Sequence, residues 1–247
     1  MTVHHDGVVI DWLGYATVRL ATDTTTVYLD PGRYGVLTGA WTPDDEATAD
    51  THPPARDYRD DADAVFVTHV HHYDPDGIDR VAAADATVIA CEAIAPRDSG
   101  RELPRLAELS RPVRTVSHED EGVATVPFWT VPAYNELEGS HTRADGTPYH
   151  PEGLGCGFLI SIDGVRVFWP GDTDVLAGHA ELDVDVLLPP IGGTFTMDRT
   201  AAAALAAAIG PELVVPIHYD TFAALETDAR AFAADVEARG VPVALDA

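Results

Sequence analysis

The sequence contains no lysine. Its 247 residues carry 41 acidic side chains against 15 basic ones, all arginine, for a formal net charge of −26. Such a chain offers no basic groove for nucleic acid. Cysteine is almost absent too, with Cys91 and Cys156 the only two. That excludes a multi-bridge disulfide framework, and their wide separation excludes the close pairing of a zinc knuckle. Both are expected as reduced, buried thiols, with a single bridge between them left open. No apolar run approaches the roughly 20 residues needed to span a bilayer. The opening Met1-Thr2-Val3-His4-His5-Asp6 lacks the basic and apolar regions of a signal peptide. The expectation is a soluble, cytoplasmic protein with neither nucleic acid nor membrane as partner.

What the chain has instead is apolar content of 46%, enough for a sizeable core, and no interdomain linker. One domain over residues 1–247 is expected. The acids gather in loop-like stretches such as Asp44-Asp45-Glu46, Asp60-Asp61 and Glu119-Asp120-Glu121. A surface this acidic repels itself in dilute salt and is relieved when salt screens it. Absent lysine with abundant Ala, Val, Asp and Glu resembles haloarchaeal proteomes. The resemblance implies adaptation to high intracellular salt.

Short β-rich runs bounded by Gly, Pro, Asp or Asn recur throughout. They fall at Val8–Asp11, Ala16–Ala21, Thr26–Asp30, Ala64–Thr68, Thr87–Ala90, Val113–Val116 and Ala124–Val131. Later runs are Phe158–Ile162, Val165–Trp169, Val184–Leu188, Leu213–Ile217 and Val241–Leu245. Helical patterns cover Asp76–Ala84, Arg101–Leu109, Asp198–Ile209 and Thr221–Arg239, with Asp198 and Thr221 as N-caps and Gly210-Pro211 as a stop. Two strand clusters, each followed by helices, predict an α/β (α+β) fold, a four-layer αββα sandwich. Gly32–Asp63 reads as a long binding loop or surface insertion.

The chemistry concentrates where strands end. Ala64–Thr68 runs straight into His69, His71, His72 and Asp74. Imidazole and carboxylate are the usual ligands of zinc and its neighbours. A strand end presents alternate residues to one side, so His69 and His71 can converge on one ion. Val165–Trp169 likewise ends at Gly171-Asp172, and Leu213–Ile217 ends at His218. His4, His5, His52, His118 and His179 are expected at the surface, and Trp12, Trp129 and Trp169 in the core.

The order of these motifs resembles the metallo-β-lactamase fold superfamily. Within it the chain is similar to the branch of small metal-dependent hydrolases that includes ascorbate-6-phosphate lactonase. The resemblance rests on Trp12–Val18, Asp30-Pro31, Pro132–Asn135, His150-Pro151, Gly153–Gly157, Gly171-Asp172-Thr173, Pro190–Gly193 and Pro216–Tyr219. It implies His69 and His71 as ligands of a first metal, Asp172 as a bridge between two metals, and His218 as a ligand of the second. Asp30 would orient a ligand histidine. The family pattern His-x-His-x-Asp-His is altered here, because Tyr73 and Asp74 stand where Asp and His belong. A one-residue insertion would make Asp74 the carboxylate, with His72 or Asp76 replacing the last histidine. Tyr15 stands where the branch commonly has His. Asn135 lies where a ligand His is often found, so His150 or His141 takes its place, with His150 favoured.

The ligand set implied is His69, His71, His72, Asp74, His150, Asp172 and His218, with Asp74 also as the catalytic group that positions water or relays its proton. The cofactor would be one or two divalent ions, zinc by default, with manganese or iron open. The expected activity is hydrolysis of a small ester, lactone or phosphorylated metabolite by metal-activated water. The alternatives are a metal-binding member without turnover and, behind it, a nuclease-type phosphodiesterase. The partner would be a small-molecule substrate held between Gly32–Asp63 and Tyr134–Gly157. Homo-oligomerisation is left open.

Overall fold

The computed structural model describes residues 1–32, 58–99, 103–117, 120–221 and 223–245. Most of the Gly32–Asp63 loop, with His52, lies outside the described residues, as does His118. Two sheets build the fold. In the first, β1 (Thr2–His5), β2 (Val8–Gly14), β3 (Thr17–Ala21) and β4 (Thr26–Leu29) form an antiparallel meander. β5 (Ala62–Val67), β6 (Ala82–Cys91) and β7 (Val113–Val116) extend it in parallel, with helix α1 (Pro75–Val81) between β5 and β6.

The second sheet repeats that plan. β8 (Glu121–Ala124), β9 (Val126–Ala133), β10 (Gly155–Ile162) and β11 (Val165–Trp169) are antiparallel. β12 (Val186–Leu187) and β13 (Leu213–Val214) follow in parallel, with α2 (Arg199–Ile209) between them and α3 (Ala229–Glu237) after them. Parallel neighbours need a crossover, and that is where the helices fall. Phe66 of β5 packs edge-on against Phe158 of β10 and Phe128 of β9, at ring separations of 5.0 and 5.3 Å. The core lies between the two sheets. No helix among the described residues is long and apolar enough to cross a membrane.

Local chemistry sets the element ends. Asp198 caps α2 by accepting from the backbone N–H groups of Thr200 and Ala201, and Gly210 closes it in the left-handed region. Several expectations are corrected. The helix expected over Thr221–Arg239 is broken: a 3-10 turn covers Ala223–Leu225, and α3 starts after Asp228, which caps it in place of Thr221. Of the helix expected over Arg101–Leu109, the described residues 103–109 hold a 3-10 turn at Leu106–Glu108 in its place, because Pro104 disfavours a helical residue before it. Val241–Leu245 contributes one isolated bridge, Val243 to Val214, rather than a strand. β13 stops at Val214, shorter than expected, since Pro216 has no N–H to give a ladder. β1 was not expected at all; its alternately exposed and half-buried polar residues carry no apolar run. Trp129 is 39% exposed rather than core, and His179 is buried rather than solvated. The ring of His179 sits between the Leu176 N–H and the Pro132 carbonyl, which satisfies both nitrogens.

Candidate metal centre

The two sheets meet at the end of β5. His69 forms an antiparallel bridge with Gly155 at the start of β10, and the Cys156 N–H donates to the Thr68 carbonyl at 3.2 Å. Only glycine fits at 155, since a Cβ there would lie 2.5 Å from the Cβ of His69. Beyond His69 the chain turns through a 3-10 helix, Val70–His72, which sends His71 and His72 to different sides.

Six ligand-type side chains converge here. Asp172, on the loop after β11, divides them. Its Oδ2 lies 3.5 Å from His69 Nε2 and 3.3 Å from His150 Nε2. His71 Nδ1 is 3.2 Å from His150 Nε2, completing a first pocket. The other carboxylate oxygen, Oδ1, lies 3.7 Å from His72 Nε2 and 3.4 Å from His218 Nε2, which are themselves 3.4 Å apart. These three form a second pocket. Donors about 2.1 Å from a shared tetrahedral ion lie about 3.4 Å from one another. Both pockets have that spacing.

His69 and His150 are held as neutral ligands. Burial, then the neighbouring His72, His71 and His150, holds His69 well below the usual histidine range. Burial, then His71 and His72, brings His150 down to about 3. Hydrogen bonds on the far nitrogens set the tautomers. The Nδ1 of His150 faces the Phe195 carbonyl at 3.1 Å. That of His69 faces the Thr68 hydroxyl at 2.9 Å, which in turn donates to Asp30. That of His72 faces Asp30 Oδ2 at 2.9 Å. In each case the partner can accept a proton from Nδ1, leaving the Nε2 lone pair aimed into the centre. His69 Nε2 is buried with no hydrogen-bond partner, a costly state that an ion would relieve. The donor set therefore fits divalent metal.

Asp30 anchors the second pocket. It is fully buried, with a φ of +43°, and also accepts from the Thr68 N–H at 2.8 Å and the Trp169 indole at 2.7 Å. His218 is likewise left-handed, with φ +57°, and its N–H donates to the Tyr15 carbonyl. The Tyr15 ring stands 4.5 Å from the His218 ring and edge-on to His72. Such backbone costs on the order of 1–3 kcal/mol per residue and persists only where its surroundings hold it.

Not every sequence candidate joins the cluster. Asp74 caps α1, its Oδ1 accepting from the N–H groups of Asp76 and Gly77. It packs against Gly32 and lies outside both pockets. Asp76 is exposed and pairs with Arg80. Asn135 and His141 form a brace instead. The Asn135 amide bonds Asp174 and the Phe195 carbonyl, and its oxygen accepts from the His150 N–H. His141 pairs closely with Asp174 and reaches the Gly193 carbonyl at 3.0 Å. Its bond to Asp174 raises the His141 pKa against the opposing effect of burial. Sequence reasoning passed over Thr68 and took Trp169 as core alone, although each lies beside a ligand-bearing turn.

A family profile described as the beta-lactamase superfamily domain matches residues 9–218. A UPF0173 metal-dependent hydrolase of Archaeoglobus fulgidus is 32% identical, over 95% of this chain and 93% of that protein. The chain belongs to the UPF0173 metal-dependent hydrolases of this superfamily. A second relative of the same description, from Methanopyrus kandleri, is 29% identical over 95% of this chain and 94% of its own length. The fold is that of a Parabacteroides distasonis crystal structure, with a TM-score of 0.71 and 22% identity over 99% of this chain and 96% of that chain. Membership makes the chain a metal-dependent hydrolase by class.

Proposed function

We propose that the chain hydrolyses a small ester, lactone or phosphorylated metabolite with two divalent ions, zinc by default, held in the two pockets. One observation carries this reading: Asp172 turns one oxygen to each imidazole group. The first ion would rest on His69, His71, His150 and Asp172, and the second on His72, His218 and Asp172. Bound there, divalent metal supplies Lewis-acid polarisation of the scissile carbonyl or phosphoryl oxygen and lowers the pKa of a water. The chain's part is to orient and exclude. Asp30, Thr68 and the Phe195 carbonyl hold three rings in ligand-ready tautomers. Tyr15 and Trp169 shield the second pocket. His71, the one ring of the five that is part-exposed, marks the side from which substrate enters. Asp74 serves the helix rather than the reaction.

The substrate class draws on the similarity to lactonase-type hydrolases, and the scarcity of cations argues against nucleic acid. The protein acts in the cytoplasm of a cell with high internal salt. The test is to purify it in high salt, count metal per chain, and screen esters, lactones and phosphodiesters. Turnover that survives the double change His69→Ala and His71→Ala would refute the reading. Metal bound without turnover on any of these classes would favour a binding protein.

A further inference from the structure

His141 has no place in either pocket, yet both of its ring nitrogens are engaged. Nδ1 lies against the carboxylate of Asp174, and Nε2 lies 3.0 Å from the Gly193 carbonyl. Both facing groups are acceptors. Neither a carboxylate nor a carbonyl has a proton to give, so each nitrogen must bring its own. A neutral imidazole carries one proton and would turn a lone pair on one of the two oxygens. The imidazolium satisfies both.

The surroundings suit that charge. Asp174 Oδ1 also accepts from the Asn135 amide at 3.2 Å, and its Oδ2 accepts from the Glu136 N–H at 2.8 Å. Such bonds favour carboxylate over acid. The side chains of His141 and Asp174 are each 12% exposed, so little water reaches the pair to weaken it as it weakens surface ion pairs. The bond to Asp174 prevails over burial and, with the Gly193 carbonyl and the charge of Asp198 at the cap of α2, raises the His141 pKa.

Three loops meet at this pair. His141 follows β9, Asp174 follows β11 and Gly193 follows β12. Two residues beyond Gly193 is Phe195, whose carbonyl faces His150 Nδ1 at 3.1 Å and accepts from the Asn135 amide at 3.0 Å. Asn135 in turn accepts from the His150 N–H at 2.8 Å. His141 therefore grips both sides of the frame around His150. One is Asp174, which anchors Asn135, and the other is the loop that carries the Phe195 carbonyl.

We propose that His141 is a positioning residue, an imidazolium that pins the Gly193–Phe195 loop to Asp174 and so holds the His150 ring oriented for the first pocket. Without the charge, one of its two bonds becomes a lone pair facing an oxygen, and the loop is released on that side. The Phe195 carbonyl is then free to leave His150 Nδ1. The role is one that a ligand could not fill, because a histidine bound to metal is neutral. The effect on metal rests on the function proposed above; the charge of His141 and its hold on His150 do not.

The full-length protein, with isotope-labelled histidines, is first examined by NMR in its metal-free form at about pH 8, where a histidine with the ordinary pKa of about 6.5 is neutral. His141 should show two protonated ring nitrogens, and His150 a hydrogen-bonded proton on Nδ1. A neutral His141 would overturn the proposal. His141→Gln, which removes the charge, and His141→Lys, which keeps one, are then compared with wild type by the same spectra and by zinc titration against a chelating dye. His141→Gln should lose the His150 Nδ1 proton signal and weaken the tighter zinc site by about tenfold, the low end of what a lost ligand support costs. The looser site should hold its affinity, and His141→Lys should recover most of the loss. If His141→Gln keeps the His150 signal, or binds zinc as tightly as wild type, the positioning role falls. Equal weakening of both sites would make His141 a general prop of the fold and overturn it too. Equal losses in the two variants would overturn the need for charge. The wild-type spectrum depends on no variant folding, and none of the spectra needs metal. A chain that binds no zinc would thus refute the metal reading while the spectra still decide the clamp.

Discussion

The two pockets share one carboxylate and differ in almost everything else. The first has three imidazoles and Asp172 Oδ2, four donors, with His71 reaching toward solvent. The second has two imidazoles and Asp172 Oδ1, three donors, all buried. Four donors fill a tetrahedral shell, and three leave a position open. The first ion should therefore be held more tightly and the second should exchange more readily. The difference also lies in the supports. His150 is held by a backbone carbonyl, whereas His72 depends on two side chains, Asp30 and Thr68.

The change that removes the comparison altogether is Asp172→Ala. Both pockets lose a donor, so metal per chain should fall toward zero and turnover by at least about 100-fold, consistent with several kcal/mol of lost stabilisation. Equal metal content in variant and wild type, by plasma emission, would show that Asp172 does not bridge. His218→Ala should separate the pockets, halving metal content while leaving the more tightly held ion. Loss of both ions together would show one coupled site. Asp30→Asn tests the supports. It should weaken the second ion by about 10–100-fold and destabilise the fold by about 1–3 kcal/mol through its buried partners.

Acid should act on the first pocket even without metal. His69 and His150 have lowered folded pKa values, against an ordinary value of about 6.5. A depressed folded pKa means the unfolded chain takes up protons first, so stability is full above about pH 6.5 and is lost as pH falls from there toward the folded values. Chelator-treated protein should show a Tm that declines from pH 7 to pH 5. A Tm that rises over that window would contradict neutral imidazoles. The smallest effect is expected at Asp74→Ala. It should cost about 1 kcal/mol as a lost helix cap and leave metal content and the ratio of the two affinities unchanged. A lost ion would return Asp74 to the ligand set.

Much of this was legible along the chain, for physical reasons. The two-sheet plan follows from short β-rich runs with helices between them, and Asp198 and Gly210 announce the ends of α2. The segment after β5 was readable as a metal site because three histidines at a strand end have few structural uses. What could not be read was the turn at Val70–His72. A strand alternates its side chains, but a 3-10 turn sends neighbours to different sides, so His71 and His72 part company while Asp74 swings back to cap α1. The choice among Asn135, His141 and His150 also depended on long-range partners, the Phe195 carbonyl and Asp174, that spacing cannot reveal.

The meeting of His72 with His218 spans 146 positions of chain. During synthesis the first three histidines leave the ribosome long before Asp172 and His218 exist. A chain half made has three of the clustered imidazoles but neither Asp172 nor His218, so it should catch a passing ion only loosely. On the reading proposed above, the complete donor set exists only once the second sheet closes on the first.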